Sequence, residues 1–151
     1  MRSLKERNTQ EERTAIIIAL GKQGDPRAVE PLIECLEDPD PSIRRLCIEA
    51  LYRLSSTRSV PALVRRLNDR NEEWLTRTYA AEALGRIGSA TAVESLNKLL
   101  LDRNEDPFTR IYVMDVLCRN KFKGIVDVLM KCLRDADPRI RKAAVKSLGS
   151  I

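Results

Sequence analysis

Apolar residues recur along this chain at helical spacing. The clearest series is a valine with leucines three and seven residues later and an aspartate at the ninth. It reads Val29-Leu32-Leu36-Asp38, Val60-Leu63-Leu67-Asp69, Val93-Leu96-Leu100-Asp102 and Val126-Leu129-Leu133-Asp135. Steps of three and four put such side chains on one stripe of a helix, so each series predicts a helix, here called A, with a single buried side. A second series sets an arginine seven residues before a leucine inside an alanine-rich run: Arg13/Leu20, Arg44/Leu51, Arg77/Leu84, Arg110/Leu117 and Arg141/Leu148. It predicts a second helix, B, whose stripe in the second unit is Ile43, Cys47, Ala50, Leu51 and Leu54. The arginines lie 31, 33, 33 and 31 residues apart, and the valine series keeps the same period. Two independent patterns on one period mark an internal repeat. No run alternates as a half-buried strand would.

The punctuation agrees with the periodicity. Asp40-Pro41, Asp106-Pro107 and Asp137-Pro138 each place a capping carboxylate before a proline suited to the first helical position, and Asp25-Pro26 does so for the first helix A. Thr9-Gln10-Glu11-Glu12 has the form of a capping box that starts helix B of the first unit directly. Gly21-x-x-Gly24 and Gly85-x-x-Gly88 are read as closing two B helices. Asp-Arg-Asn-Glu stands at both 69–72 and 102–105, so the longer A–B turn is itself duplicated. The predicted fold is all-α: an α-solenoid of about five helix-pair repeats in one domain, residues 1–151, with units near 1–24, 25–56, 57–88, 89–120 and 121–151.

Three phrases carry a family resemblance: Ala83-Leu84-Gly85-Arg86-Ile87-Gly88, Asp25-Pro26-Arg27-Ala28-Val29-Glu30-Pro31-Leu32, and Asp137-Pro138-Arg139-Ile140-Arg141-Lys142-Ala143-Ala144. From about residue 10 to the end the chain resembles the HEAT-like repeats of the phycobilisome (PBS) lyase type, an armadillo-like helical family. The resemblance implies a range of roles, among them bilin lyase subunits, phycobilisome-degradation factors, hydroxylases and scaffolds. The hydroxylases hold iron with His-Glu pairs, and this chain has no histidine. Tyr52 and Cys118 stand where the repeat usually has glycine.

Composition narrows the chemistry further. Of 151 residues, 43% are hydrophobic and 32% charged, as expected of a water-soluble domain with a core of its own. The longest apolar stretch, 15–20, is far short of the roughly 20 residues that span a bilayer, and no secretory leader opens the sequence; a cytoplasmic protein without membrane contact is expected. Without histidine, His-dependent triads and dyads and imidazole metal sites are excluded. The cysteines at 35, 47, 118 and 132 form no Cys-x-x-Cys pair and sit among apolar residues, as buried reduced thiols do. No catalytic residue, metal ligand or cofactor is expected, and the chain reads as non-enzymatic. Net charge is +5, all of it from the second half: residues 1–75 carry 13 basic and 13 acidic side chains, residues 76–151 carry 14 and 9. From Arg119 onward nine basic residues face three aspartates.

In solenoids of this kind the B helices line the concave surface. Counted from each unit's arginine, positions +2, +5 and +9 of the three middle units read Leu46, Tyr79 and Tyr112; Glu49, Glu82 and Asp115; Arg53, Arg86 and Arg119. These nine residues are the candidate protein-binding face. The charged ones also form i,i+4 pairs, so a solvated, self-neutralising surface is the competing reading. The repeated arginines are assigned to an Asp–Arg ladder across each A–B turn rather than to phosphate. Trp74 either fills the longer turn or projects as an anchor.

Three functions are carried forward. The first is a scaffold binding a protein or peptide on that face. The second, implied by the resemblance, is a lyase-subunit-like accessory factor in bilin attachment or phycobiliprotein turnover. The third is nucleic-acid binding by the basic end, weakened by its interleaved acids and lack of an aromatic stacking platform. The run Ile16-Ile17-Ile18 cannot all face one stripe, so apolar surface at the N-terminal edge is expected to be buried by a second copy (self-association), by a partner or by further sequence.

Overall fold

The computed structural model describes residues 9–151. Nine α-helices follow one another among these residues, and no strand is present among them. They are α1 (Gln10–Gln23), α2 (Val29–Cys35), α3 (Pro41–Leu54), α4 (Val60–Asn68), α5 (Trp74–Ile87), α6 (Ala90–Leu101), α7 (Pro107–Arg119), α8 (Ile125–Cys132) and α9 (Pro138–Ser150). Odd-numbered helices are the B helices and even-numbered ones the A helices. Short 3₁₀ turns, Pro26–Ala28 and Thr57–Ser59, lead into α2 and α4.

Helix starts follow the predicted capping chemistry. The side chains of Thr9, Asp40, Asp106 and Asp137 accept from backbone N–H groups of the first turn, satisfying donors that the helix itself leaves open. Helix ends match the prediction at Gly24 and Gly88 and differ from it at Gly21 and Gly85. The left-handed residue closing each B helix stands eleven positions after the unit's arginine: Gly24 (φ 69°), Ser55 (φ 51°), Gly88 (φ 63°) and Lys121 (φ 52°). Two of the four are not glycine, which is why glycine spacing alone does not reveal the position. Gly21 and Gly85 lie inside their helices and are buried. A Cβ on Gly21 would stand 3.0 Å from both Cα and Cβ of Ala50, so that glycine permits close approach of α1 and α3. A Cβ on Gly24 meets nothing within 4 Å, so its requirement is purely conformational. Gly24→Ala is therefore expected to cost about 1 kcal/mol, from left-handed strain alone; an unchanged urea midpoint would remove that assignment.

The chain divides into two compact units, one ending at Ile87 and the other running from Gly88 to Ile151. In the first, α1 packs on α3 and α3 on α5, with α2 and α4 covering α3 and α5 from the other side. Ile17, Leu32, Leu36, Ile43, Cys47, Ile48, Leu51, Leu63, Leu67 and Leu84 are fully buried between these two layers. In the second, α6 packs on α7 and α8 on α9, while α7–α9 and α6–α8 form the layers. Its core holds Leu96, Leu100, Val113, Met114, Val116, Leu117, Leu129 and Ile140. Ile48, absent from the predicted stripe, is as buried as Ile43, because a B helix with neighbours on two sides buries more than one stripe.

The repeated arginines staple the turns, but not to the predicted carboxylates. Arg44 donates Nη1 to the carbonyl oxygens of Asp38 and Pro39, at 2.7 and 3.0 Å, and grips the Glu72 carboxylate with Nε and Nη2 at 2.6 and 2.7 Å. Arg110 donates Nε to the Leu100 carbonyl at 2.8 Å and both terminal nitrogens to the Asp135 carboxylate. Arg13 reaches the Asp38 carboxylate through Nη2 alone. The acid comes from the following unit, not from the arginine's own turn. The nearer aspartate is otherwise engaged: Asp38, Asp69, Asp102 and Asp135 each accept, at 2.9 Å, the N–H two residues on. Two turn lengths produce two patterns. Arg44 and Arg141 take carbonyls five and six residues back, whereas Arg77 and Arg110 take the carbonyl ten residues back.

Candidate functional site

Five of the nine predicted residues line one of two grooves, between α1 and α3 and between α7 and α9. In the first unit α1 contributes Ile17, Ile18 and Gly21 (positions +4, +5 and +8), and α3 contributes Leu46, Glu49, Ala50 and Arg53 (+2, +5, +6 and +9). The close approach at Gly21 leaves only about 140 Å³ there. Three of the nine predicted residues thus share one groove. Glu49 and Arg53 pair at 3.5 Å, both about half exposed, which adds little stability. On α5, Tyr79 and Glu82 are half-buried, and exposed Arg86 lays its guanidinium 4.8 Å from the centroid of the Tyr52 ring. The tyrosine in a glycine slot therefore serves as a platform for an arginine, a pairing of positions +8 and +9 on different helices that single-helix reading does not find.

In the second unit the same positions enclose about 750 Å³. Helix α7 supplies Met114, Asp115 and Cys118 (+4, +5 and +8), and Arg119 lies beside them; α9 supplies Ala143, Lys146, Ser147 and Ser150. Asp115 and Arg119 are paired at 2.8 Å. Tyr112 is half-buried on α7 and does not line this groove. Burial pushes the Cys118 thiol up, against a hydrogen bond from Ser147 that favours the thiolate, so it is held as the neutral thiol. Cys35, Cys47 and Cys132 are buried and unbridged; a hydrogen bond with Cys35, then burial, pushes the Cys47 thiol up. Asp25 and Asp137 are drawn down to about 2 by Arg27 and Arg139, cap geometry rather than acid–base machinery. No group of three or more His, Cys, Asp or Glu among the described residues is placed to hold a metal ion. None of the described helices is long and apolar enough to cross a membrane.

Trp74 begins α5 and is about half exposed. Of the isoleucine run in α1, Ile17 is wholly buried, Ile16 is half-buried and Ile18 is exposed, so Ile18 offers the largest apolar surface of the three. Residues 1–8, whose sequence offers one leucine and little else to cover the N-terminal edge, lie outside the described residues.

Paired helices on a 31–33-residue period, stapled at their turns and grooved between B helices, define the α-solenoid class. The chain belongs to the HEAT repeat family, whose pattern matches residues 3–76 and 100–151, while residues 76–102 match the PBS lyase HEAT-like repeat. Over 45 residues, 30% of this chain, it is 47% identical to phycocyanobilin lyase subunit alpha of Picosynechococcus sp. strain PCC 7002; that match spans 17% of the lyase subunit's length. The fold is shared with a solved complex of CpcE and CpcF of phycocyanin lyase from Nostoc sp. PCC7120, at a TM-score of 0.68 and 22% identity over 97% of this chain and 62% of that one. An engineered protein has it too, with a TM-score of 0.58 and 21% identity over 96% of this chain and 75% of its own.

The expectation that the chain has no part in enzymatic work is corrected by the first of these relatives, a subunit of a lyase. The expectation rested on missing nucleophile–base pairs and metal clusters. Those absences speak to mechanisms that need such groups; a subunit that holds reactants in a productive geometry accelerates a reaction through orientation.

Proposed function

We propose that this chain is a lyase-subunit-type repeat module that takes part in attaching a bilin to its acceptor protein. The observation that carries the reading is the 47% identity over 45 residues to phycocyanobilin lyase subunit alpha. In this reading the B-helix positions Leu46, Tyr79 and Tyr112, flanked by Glu49, Glu82 and Asp115 and by Arg53, Arg86 and Arg119, are the surface for a protein partner. Half-buried tyrosines suit that task, since each presents a large apolar ring with a polar end at little entropic cost. The chain's contribution to the reaction is to bind and orient.

The test mixes the chain with phycocyanobilin and an apo-phycobiliprotein, with and without a companion lyase subunit, and follows pigment that stays with the acceptor on a denaturing gel. Faster or fuller attachment in the presence of the chain is expected. The same rate and yield with and without it, in both mixtures, would overturn the proposal. Partner binding should be lost in the Tyr79→Ala/Tyr112→Ala double variant while far-UV circular dichroism is unchanged; affinity retained within about twofold would move the contact off these rows.

A further inference from the structure

The two B-helix grooves are made from the same repeat positions, yet they differ in size and charge. Position +8 of the leading helix is Gly21 in one and Cys118 in the other. Gly21 lets the backbone of Ala50 come close, whereas Cys118 carries a side chain into the corresponding space. On the following helix, Leu46 gives way to Ala143 and Arg53 to Ser150, both shorter, while Ser147 stands where the other groove has Ala50. The result is about 750 Å³ instead of about 140 Å³. A volume of roughly 300–1,000 Å³ is that of sites for drug-sized molecules.

Charge changes at the same positions. Position +5 is acidic in α3, α5 and α7 (Glu49, Glu82 and Asp115) but is Lys146 in α9. Lys121, the left-handed residue that closes α7, stands at the same groove. Asp115, the acid of the lining, is already matched by Arg119 at 2.8 Å. Among the described residues neither Lys121 nor Lys146 has a side-chain ion-pair partner, so the mouth carries two uncompensated ammonium groups. The interior beneath them is apolar: Ile111, Met114, Ile125 and Ala143.

We infer that the α7–α9 groove is a binding site for a small carboxylate with an apolar body, its carboxylate held by Lys121 and Lys146 and its body lying along Met114, Ile125 and Ala143. The inference stands on this groove alone and is independent of the lyase reading. Burying the apolar body supplies the attraction, and the two lysines select an anion over a neutral or cationic amphiphile.

The probes are 8-anilinonaphthalene-1-sulfonate, whose fluorescence rises in an apolar site, and dodecanoate as its competitor, with the full 151-residue chain. One saturable site per chain is expected, emptied by dodecanoate but not by dodecyltrimethylammonium at the same concentration. Lys121→Glu/Lys146→Glu should weaken dodecanoate at least tenfold, while Lys131→Glu/Lys142→Glu, the same charge change outside the groove lining, should leave it within twofold. Bound dodecanoate should also slow labelling of Cys118 by N-ethylmaleimide. Non-saturable binding, equal competition by the cationic amphiphile, equal loss in both double variants, or unaltered Cys118 labelling would each overturn the assignment. Unchanged circular dichroism in both variants separates loss of the site from loss of the fold.

Discussion

Replacing Arg110 by alanine is expected to destabilise the protein by about 3–5 kcal/mol, the range for removing one partner of a buried ion pair. Arg110 is 1% exposed, and Asp135 is 7% exposed. The guanidinium meets both oxygens of that carboxylate and also holds the Leu100 carbonyl at 2.8 Å. Its removal strands a buried carboxylate and a buried carbonyl at once. The hydrogen bond from Arg110 draws the Asp135 carboxyl below its ordinary 3.8, against the opposing effect of burial. A carboxyl depressed in the folded state contributes stability that is complete above its unfolded value and is lost as pH falls through the folded one. In Arg110→Ala the largest cause of the lowering is gone and only the Asp137 N–H and Arg103 act against burial, so the Asp135 carboxyl rises from its place in the parent and the variant's deficit should shrink on acidification as that carboxylate takes up a proton. Arg110→Met/Asp135→Asn, which leaves no buried charge and keeps an acceptor for the Asp137 N–H, should cost far less. Urea unfolding at pH 7 and pH 3 checks all three; a single-variant cost below about 1 kcal/mol at pH 7, or a deficit that grows on acidification, would overturn the role.

Why the acid of this staple escaped the sequence reading is a matter of distance. Asp102 lies eight residues before Arg110 and Asp135 lies 25 after it. Helix periodicity ranks partners within a helix pair; it contains no term for which unit's turn comes within reach once pairs are stacked. What was local was legible: the period, the caps at Thr9, Asp40, Asp106 and Asp137, and the leucines at position +7. What depended on two elements meeting was not. Gly21 reads as a helix terminator until Ala50 is seen against it, and Tyr52 reads as a failed glycine until Arg86 lies over its ring. The groove shows the same limit. Five of the nine predicted site residues are points on single helices at positions where the opposite wall matters as much. Leu46, Glu49 and Arg53 acquire a site only with Ile18 and Gly21 across from them, and Asp115 and Arg119 only with Ala143 and Lys146. The switch from acid to Lys146 at +5 was in the sequence; its meaning required knowing that +5 of one helix and +8 of the previous one border the same space.

The repeat also supplies its own control for core energetics. Leu84→Ala is expected to cost about 2–5 kcal/mol, by loss of buried apolar area together with the cavity left behind. Leu84 has no exposed surface and lies in α5, which packs against both α3 and α4. Its neighbours in sequence, Ala80, Ala81 and Ala83, are also fully buried, and Gly85 is buried beside them. Alanines and glycine bring the helix close to its partners and hold no long side chains that could swing in to fill a void, which places the cost toward the upper part of the range. Leu148 occupies the same repeat position in α9 but is only half-buried. The identical change there removes less apolar area from contact and leaves a space open to water, so Leu148→Ala should cost well under half as much. Urea unfolding of the two variants beside the parent measures the difference directly. Equal costs, or a Leu84→Ala protein within about 1 kcal/mol of the parent, would mean that position +7 is not the axis around which each helix pair is packed.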